Sequence, residues 1–222
     1  LDGLKTADGK GVDSVMYILP LLLQGLQVTI IASVGAVIVA IAFGLLIAIV
    51  RRSAARTARM ALDTTVTIVR STPLLIQLYL LFYVLPLYGP AFSPMATGVL
   101  GLGLHYSAYL SEVFRAGIDA VPKGQWEAAI ALQFNRVQTW RRLILPQVVR
   151  IILPQVGNYF VSIYKHSALL ATITVVEILG TTLNYAGETF RYFEAFTLLG
   201  LIYFCVGFSL SRAVGYLERR LA

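Results

Sequence analysis

Apolar runs of about twenty residues recur along this 222-residue chain, and nothing else constrains its fold as strongly. A run of that length crosses a hydrocarbon core of about 30 Å at 1.5 Å per helical residue. Inside lipid every backbone N–H and C=O must find its partner within the structure, which leaves helices or closed barrels. Membrane strands would show alternating segments of about ten residues, and the sequence contains none. The chain is therefore read as an all-α integral membrane protein. Its charged fraction of 13% and mean hydropathy of +0.77 agree, since a soluble domain is about a quarter charged.

Charge placement then sets a topology. Residues 1–15 are polar and Gly-rich and are expected to form a loose extracytoplasmic tail. A first helix covers 16–50, interfacial up to Gln27 and crossing over 28–50. Arg51, Arg52, Arg56 and Arg59 follow with no acid among them, which places this loop in the cytoplasm and the N-terminus outside. A second span is expected over 60–85, and the loop after it, 86–94, has Pro and Gly but no Lys or Arg. The third span covers 95–118, and a hairpin of about 119–142 with Lys123, Arg136, Arg141 and Arg142 lies inside. The fourth covers 143–164, with Pro146 and Pro154 as kink sites. Residues 165–193 carry Lys165, Glu177, Glu188 and Arg191 and read as a semi-buried helix plus an outer loop. The fifth span, 195–217, ends inside at Glu218, Arg219 and Arg220. The result is five transmembrane helices, N-terminus outside and C-terminus cytoplasmic, with 16–222 as one transmembrane domain.

In this setting the net charge of +7 reports orientation in a lipid membrane rather than a nucleic-acid partner. No basic–apolar–small leader pattern precedes the first run, so the first helix is expected to insert and stay. Cys205 stands alone in an apolar run, which excludes a disulfide or metal framework and reads as a small packing residue. Gly101 and Gly103 are placed to let helices approach closely.

The cytoplasmic hairpin has its own grammar. Pro122 suits the first turn of a helix, and the short helix after it surrounds Glu127 with Ala128, Ala129 and Ala131. Small side chains let a helix sit deep in a partner's groove, while the carboxylate offers one directed contact. Asn135 is placed to cap a second helix, with Gln138 completing a capping box. Trp140, Arg141 and Arg142 suit a membrane surface. By spacing alone, a plain amphipathic loop fits equally well.

Ionisable groups inside the membrane are costly and need partners or a function. Arg70 and Glu112 fall at similar depths and are expected to pair; Glu112–Arg115 and Arg115–Asp119 are spaced as same-face pairs. Thr72 precedes Pro73, where a lost backbone hydrogen bond opens the helix and exposes carbonyls. Gln77 lies one turn further out, and His105 sits within the third span.

Several stretches in one order resemble a known family. Glu127-Ala128-Ala129 followed by Leu143 and Leu145-Pro146 resembles the EAA loop of the membrane subunits of bacterial ABC importers. The stretch from Val69 through Arg70-Ser71-Thr72-Pro73 to Gln77 resembles the polar amino-acid permeases of histidine/glutamine type. So do Tyr109-Leu110-Ser111-Glu112, Arg115-Ala116-Gly117-Ile118, Pro122-Lys123-Gly124-Gln125-Trp126-Glu127 and Ile144-Leu145-Pro146-Gln147. The resemblance covers about residue 22 to the C-terminus. It implies a type I ABC importer fold in the bacterial plasma (inner) membrane. It also implies a second permease subunit, identical or paralogous, two ATPase subunits that bind ATP and Mg, and an extracytoplasmic substrate-binding protein. The hairpin would then couple to the ATPases through Gly124, Glu127, Ala128, Ala129, Gln133, Asn135 and Arg136. Gln133 replaces the family's Gly, so it must adopt a left-handed conformation at a cost of about 1 kcal/mol.

The same resemblance frames the cargo. Lys165-His166-Ser167-Ala168-Leu169 occupies the place of K-D-T-S-L, so His166 replaces an acid. His105 stands where a small or polar residue is usual. Thr72, Gln77, His105, Glu112, Lys165 and His166 are the expected substrate path. Losing an acid while keeping a lysine argues against an exclusively cationic substrate and leaves a polar amino acid or derivative. No phosphate loop of the form G-x-x-x-x-G-K-[ST] is present, so this chain is expected to bind no cofactor itself. Two other classes stand beside this reading. Half of an ion-coupled secondary transporter would leave the hairpin without a role. A membrane-embedded enzyme needs a convergent nucleophile–base or metal set, which two dispersed histidines and one cysteine do not supply.

Overall fold

The computed structural model describes the backbone of residues 2–221 and the side chains of 16–220. Among the described residues all regular structure is helical. It comprises α1 (Asp2–Ser53), α2 (Arg56–Ser71), α3 (Leu74–Tyr79), α4 (Pro94–Asp119), α5 (Lys123–Ala131), α6 (Arg136–Gln138), α7 (Leu145–His166), α8 (Ile178–Thr189) and α9 (Tyr192–Leu221).

Two helices meet along a seam of small residues. Ala32, Ala36, Ala40, Gly44 and Ala48 recur every fourth position on α1, and all are buried. The opposite face, with Ile31, Ile38, Leu46 and Ile49, is exposed. α4 lies along the seam with Gly103. A Cβ added there would overlap Val39 and come within 3.1 Å of the Ala36 carbonyl oxygen. The close approach expected at Gly101 and Gly103 is present on both sides of α4, because Gly101 faces Leu78 of α3. Small residues let backbones approach and gain dispersion contacts where lipid offers no hydrophobic driving force.

α4 is capped by Ser93, whose hydroxyl accepts the Ala96 N–H at 3.3 Å. It is also the most enclosed helix. Thr97, His105, Ser107 and Ser111 are buried on it beside Leu102, Tyr106, Leu110 and Phe114.

The span expected over 60–85 is not one helix. It breaks at Thr72-Pro73, and the two halves, Arg56–Ser71 and Leu74–Leu87, bend by 104°. Pro73 lacks an N–H and disfavours helix in the residue before it; Thr72 is extended, at φ −98° and ψ 133°. After α3 the chain runs through a π turn, Leu80–Val84, and a 3₁₀ turn, Leu85–Leu87. A second π turn, Thr139–Ile144, precedes Pro146, and α7 then runs on through Pro154. The semi-buried segment expected over 165–193 appears as a 3₁₀ stretch, Ser167–Ile173, and α8.

Three readings need correction. The backbone of the segment expected as a loose tail is helical from Asp2, because extending an existing helix costs far less than nucleating one; the side chains of 1–15 lie outside the described residues. The stretch 16–27 is not merely interfacial: Ile18 and Leu22 are fully buried against Ile178, Tyr185, Ala195 and Leu199 of α8 and α9. Cys205 is exposed rather than packed, since α9 lies on the outside of the bundle with Phe204 and Phe208 also exposed.

One buried carboxylate ties this outer group together. Glu177 accepts the Gly180 N–H at 2.9 Å at the start of α8, the Thr29 hydroxyl of α1 at 3.2 Å and the Tyr203 hydroxyl of α9 at 3.4 Å. Among the described residues, Met16–Ser53 and Tyr192–Arg220 are each long and apolar enough to cross a membrane alone. Two bent pairs, Arg56–Ser71 with Leu74–Leu87 and Arg136–Ile173 with Ile178–Thr189, reach that length together.

Candidate functional site

The hairpin is built from its turns outward. Val121, Ile144 and Val148 form a small core beneath it, with Trp126 of α5 edge-on to Trp140 at 5.6 Å. Gln147 Nε2 donates to Gln125 Oε1 at 3.1 Å, closing α5 onto α7. At the end of α5, Gln133 takes φ 53°. Its N–H donates to Ile130 O at 2.9 Å and the Phe134 N–H to Ala129 O at 3.0 Å, the paired bonds of a Schellman stop. The left-handed turn expected of Gln133 is therefore present. So is the Asn135 cap: the Gln138 N–H reaches Asn135 Oδ1 at 2.9 Å, and the Asn135 N–H reaches Gln138 Oε1 at 3.0 Å.

What this frame displays is unpartnered. Ala129 is buried beneath it, but Gly124, Glu127, Ala128 and Arg136 are exposed. Ile130 is 77% exposed and Leu132 62%. Glu127 makes no ion pair among the described residues.

Behind the hairpin a charge network joins the last turn of α1 to the middle of α2 and to the C-terminal part of α4. Arg51 pairs with Asp63 of α2 and with Glu112 of α4, the latter at 2.6 Å. Arg115 bonds Glu112 at 2.9 Å and Asp119 at 3.2 Å, as its spacing implies. Arg52 lies 3.6 Å from Asp119. The expected Arg70–Glu112 pair is not formed. Arg51, counted as part of a loop, belongs to the last turn of α1 and claims Glu112. Arg70 instead places its guanidinium 5.1 Å from the centre of the Tyr109 ring.

A second polar group gathers at the break in α2. Gln77 Nε2 donates to Val69 O at 2.7 Å and to Thr72 O at 3.0 Å, filling the carbonyls that the break releases. The Thr72 hydroxyl donates to Ile68 O at 2.8 Å. With both amide hydrogens used, Gln77 Oε1 faces His105 Nδ1 at 3.1 Å as an acceptor. The His105 proton therefore sits on Nδ1, and a neutral ring keeps a lone pair on Nε2. Across α4, the Tyr106 hydroxyl lies 2.6 Å from His166 Nδ1. The rings of Tyr106, Tyr109 and Tyr159 pack between the two histidines at centroid distances of 5.8–6.0 Å.

Of the expected path residues, Thr72, Gln77 and His105 thus meet, and His166 joins them through Tyr106. Glu112 belongs to the charge network, and Lys165 is exposed with no ion pair among the described residues. Tyr106, Tyr109, Tyr159 and Arg51 escaped sequence reasoning. The spacing of His105, Tyr109 and Glu112, a one-face row on a helix, was the available signal. No group of three or more His, Cys, Asp or Glu able to hold a metal occurs among the described residues.

The model of the family described as "binding-protein-dependent transport system inner membrane component" matches residues 40–222. This chain belongs to that family. Among fellow members, a probable amino-acid ABC transporter permease of Sinorhizobium fredii is 41% identical over 84% of this chain and 80% of its own. The L-cystine transport system permease of Bacillus subtilis is 33% identical over 91% of this chain and 87% of its own. The solved structure of an amino acid ABC transporter with histidines superposes with a TM-score of 0.86. That structure is 33% identical, covering 93% of this chain and 97% of the other. The inner membrane components of this family are translocation subunits, so the hairpin and the polar group at the break are parts of a transporter rather than of an enzyme.

Proposed function

We propose that this chain is one permease half of an ATP-driven importer that moves a polar amino acid or derivative across the bacterial plasma membrane by alternating access. The hairpin carries the reading. A Schellman stop, a capping box and a tryptophan pair hold it in one shape, and among the described residues Glu127, Ile130 and Leu132 are left exposed. A fixed, exposed knob with one carboxylate has the form of a plug for another subunit's groove. Two ATPase subunits, holding ATP and Mg, would receive it. A second permease subunit would complete the path, and an extracytoplasmic binding protein would deliver the cargo.

Five crossings, N-terminus outside, suit the arginine distribution. α4 serves as the third crossing because its polar groups face protein rather than lipid. Along the path, Gln77 and Thr72 shape the break, while His105 Nε2 supplies an acceptor and Lys165 and His166 supply cationic or N–H donors. That pairing suits a zwitterion, with an ammonium near His105 and a carboxylate near Lys165.

Reconstitution with the ATPase subunits and binding protein, followed by uptake and ATP hydrolysis with a panel of amino acids, tests this. Glu127→Ala is expected to insert normally, still hydrolyse ATP and lose most uptake. Undiminished uptake in that variant would overturn the coupling role.

A further inference from the structure

We propose that Arg51 is a positioning residue of the transport cycle: it pins α2 to α4 and so places the broken helix under the control of the hairpin. The inference rests on the importer reading above.

α2 is held unusually. Only Val66 is buried along it, so apolar packing contributes little to its position. Polar pins hold its middle and its C-terminal end instead. At mid-helix, Asp63 is gripped by Arg51, which also grips Glu112 on α4. Near the end, the Arg70 guanidinium lies over the Tyr109 ring, and the Tyr109 hydroxyl donates to Arg70 O at 3.3 Å. Tyr109 and Glu112 are three residues apart on α4 and share a face, so both pins land on one helix. That helix ends at Asp119, and the coupling helix α5 starts at Lys123. A displacement of the hairpin is therefore passed along α4 to Glu112, as it is to α7 through Gln125 and Gln147. At the far end of α2, the moved backbone is the one whose carbonyls hold Gln77 and, through it, His105.

The pin at Arg51 is also exchangeable. Its side chain is 12% exposed, and a buried charge that loses its partner is heavily penalised. Here each carboxylate has a second cation. Arg59 stands 4.0 Å from Asp63, and Arg115 stands 2.9 Å from Glu112. Arg51 can release one carboxylate without stranding either. A planar guanidinium bridges two carboxylates on different helices, which an ammonium does poorly.

The test uses the whole complex in liposomes, with substrate taken up and ATP hydrolysed measured in the same vesicles and assembly followed by co-purification. Arg51→Gln and Asp63→Asn are each expected to lower substrate moved per ATP hydrolysed at least tenfold. Arg51→Lys is expected to recover part of that ratio. Should Arg51→Gln fail to assemble, Arg51→Lys and Asp63→Asn carry the reading, again as a ratio below wild type. An unchanged ratio in the assembled variants, whether uptake and hydrolysis both stay near wild type or fall together, overturns the proposal and leaves Arg51 a structural residue. A wild-type complex whose ATP hydrolysis ignores the loaded binding protein would instead overturn the importer reading itself.

Discussion

Gln77 shows how a membrane helix can break without orphaning its backbone. Its amide hydrogens replace the lost helical partners of Val69 and Thr72, where each unsatisfied buried group would cost about 1–3 kcal/mol. Gln77→Leu should therefore lower the thermal unfolding midpoint in detergent by several degrees and release His105 from its fixed orientation; an unchanged midpoint would count against the capping role. At this scale, legibility followed locality. The left-handed Gln133 and the Asn135 cap could be read because each involves residues within a few positions of one another. The link from His105 to His166 could not, because it passes through Tyr106 and depends on how α4 and α7 face each other. Arg70 was misassigned for the opposite reason. Equal depth along two helices says nothing about azimuth, and a third helix end supplied a nearer cation.

At the scale of elements, the seam between α1 and α4 is a joint with no room for a side chain at Gly103. Gly103→Val would drive a branched side chain into Val39 and toward the Ala36 carbonyl, and overpacking of this kind costs about 1–3 kcal/mol. The expected result is a lowered unfolding midpoint or reduced yield. Gly124→Ala, where a Cβ would meet nothing within 4 Å, should stay within about 0.5 kcal/mol of wild type. The two glycines on α4 were readable as packing sites. The alanine series on α1 was not singled out, because a four-residue period of alanines inside an apolar run looks like lipid-facing filler until its partner is known. The break at Pro73 was expected as an opening; its 104° angle depends on what α3 packs against, which lies outside the local sequence.

At the scale of the whole molecule, orientation is checked by labelling. In a Cys205→Ser background, a cysteine at Tyr88, which is 86% exposed, should react with an impermeant maleimide in intact spheroplasts. One at Ser53 should react only after permeabilisation, and the reverse pattern would invert the topology. Membrane class and helical content were legible because hydropathy is a bulk property. What the sequence did not show is how α4 accommodates its polar residues: His105, Ser107 and Ser111 are buried against protein. That enclosure has a consequence for biogenesis. A helix carrying His105, Glu112 and Arg115 partitions poorly into lipid alone, yet α1 and its small-residue seam are synthesised first. On the five-crossing reading proposed above, α4 would leave the translocation machinery after its dock on α1, and the order of the helices in the chain would set the order in which they can pack.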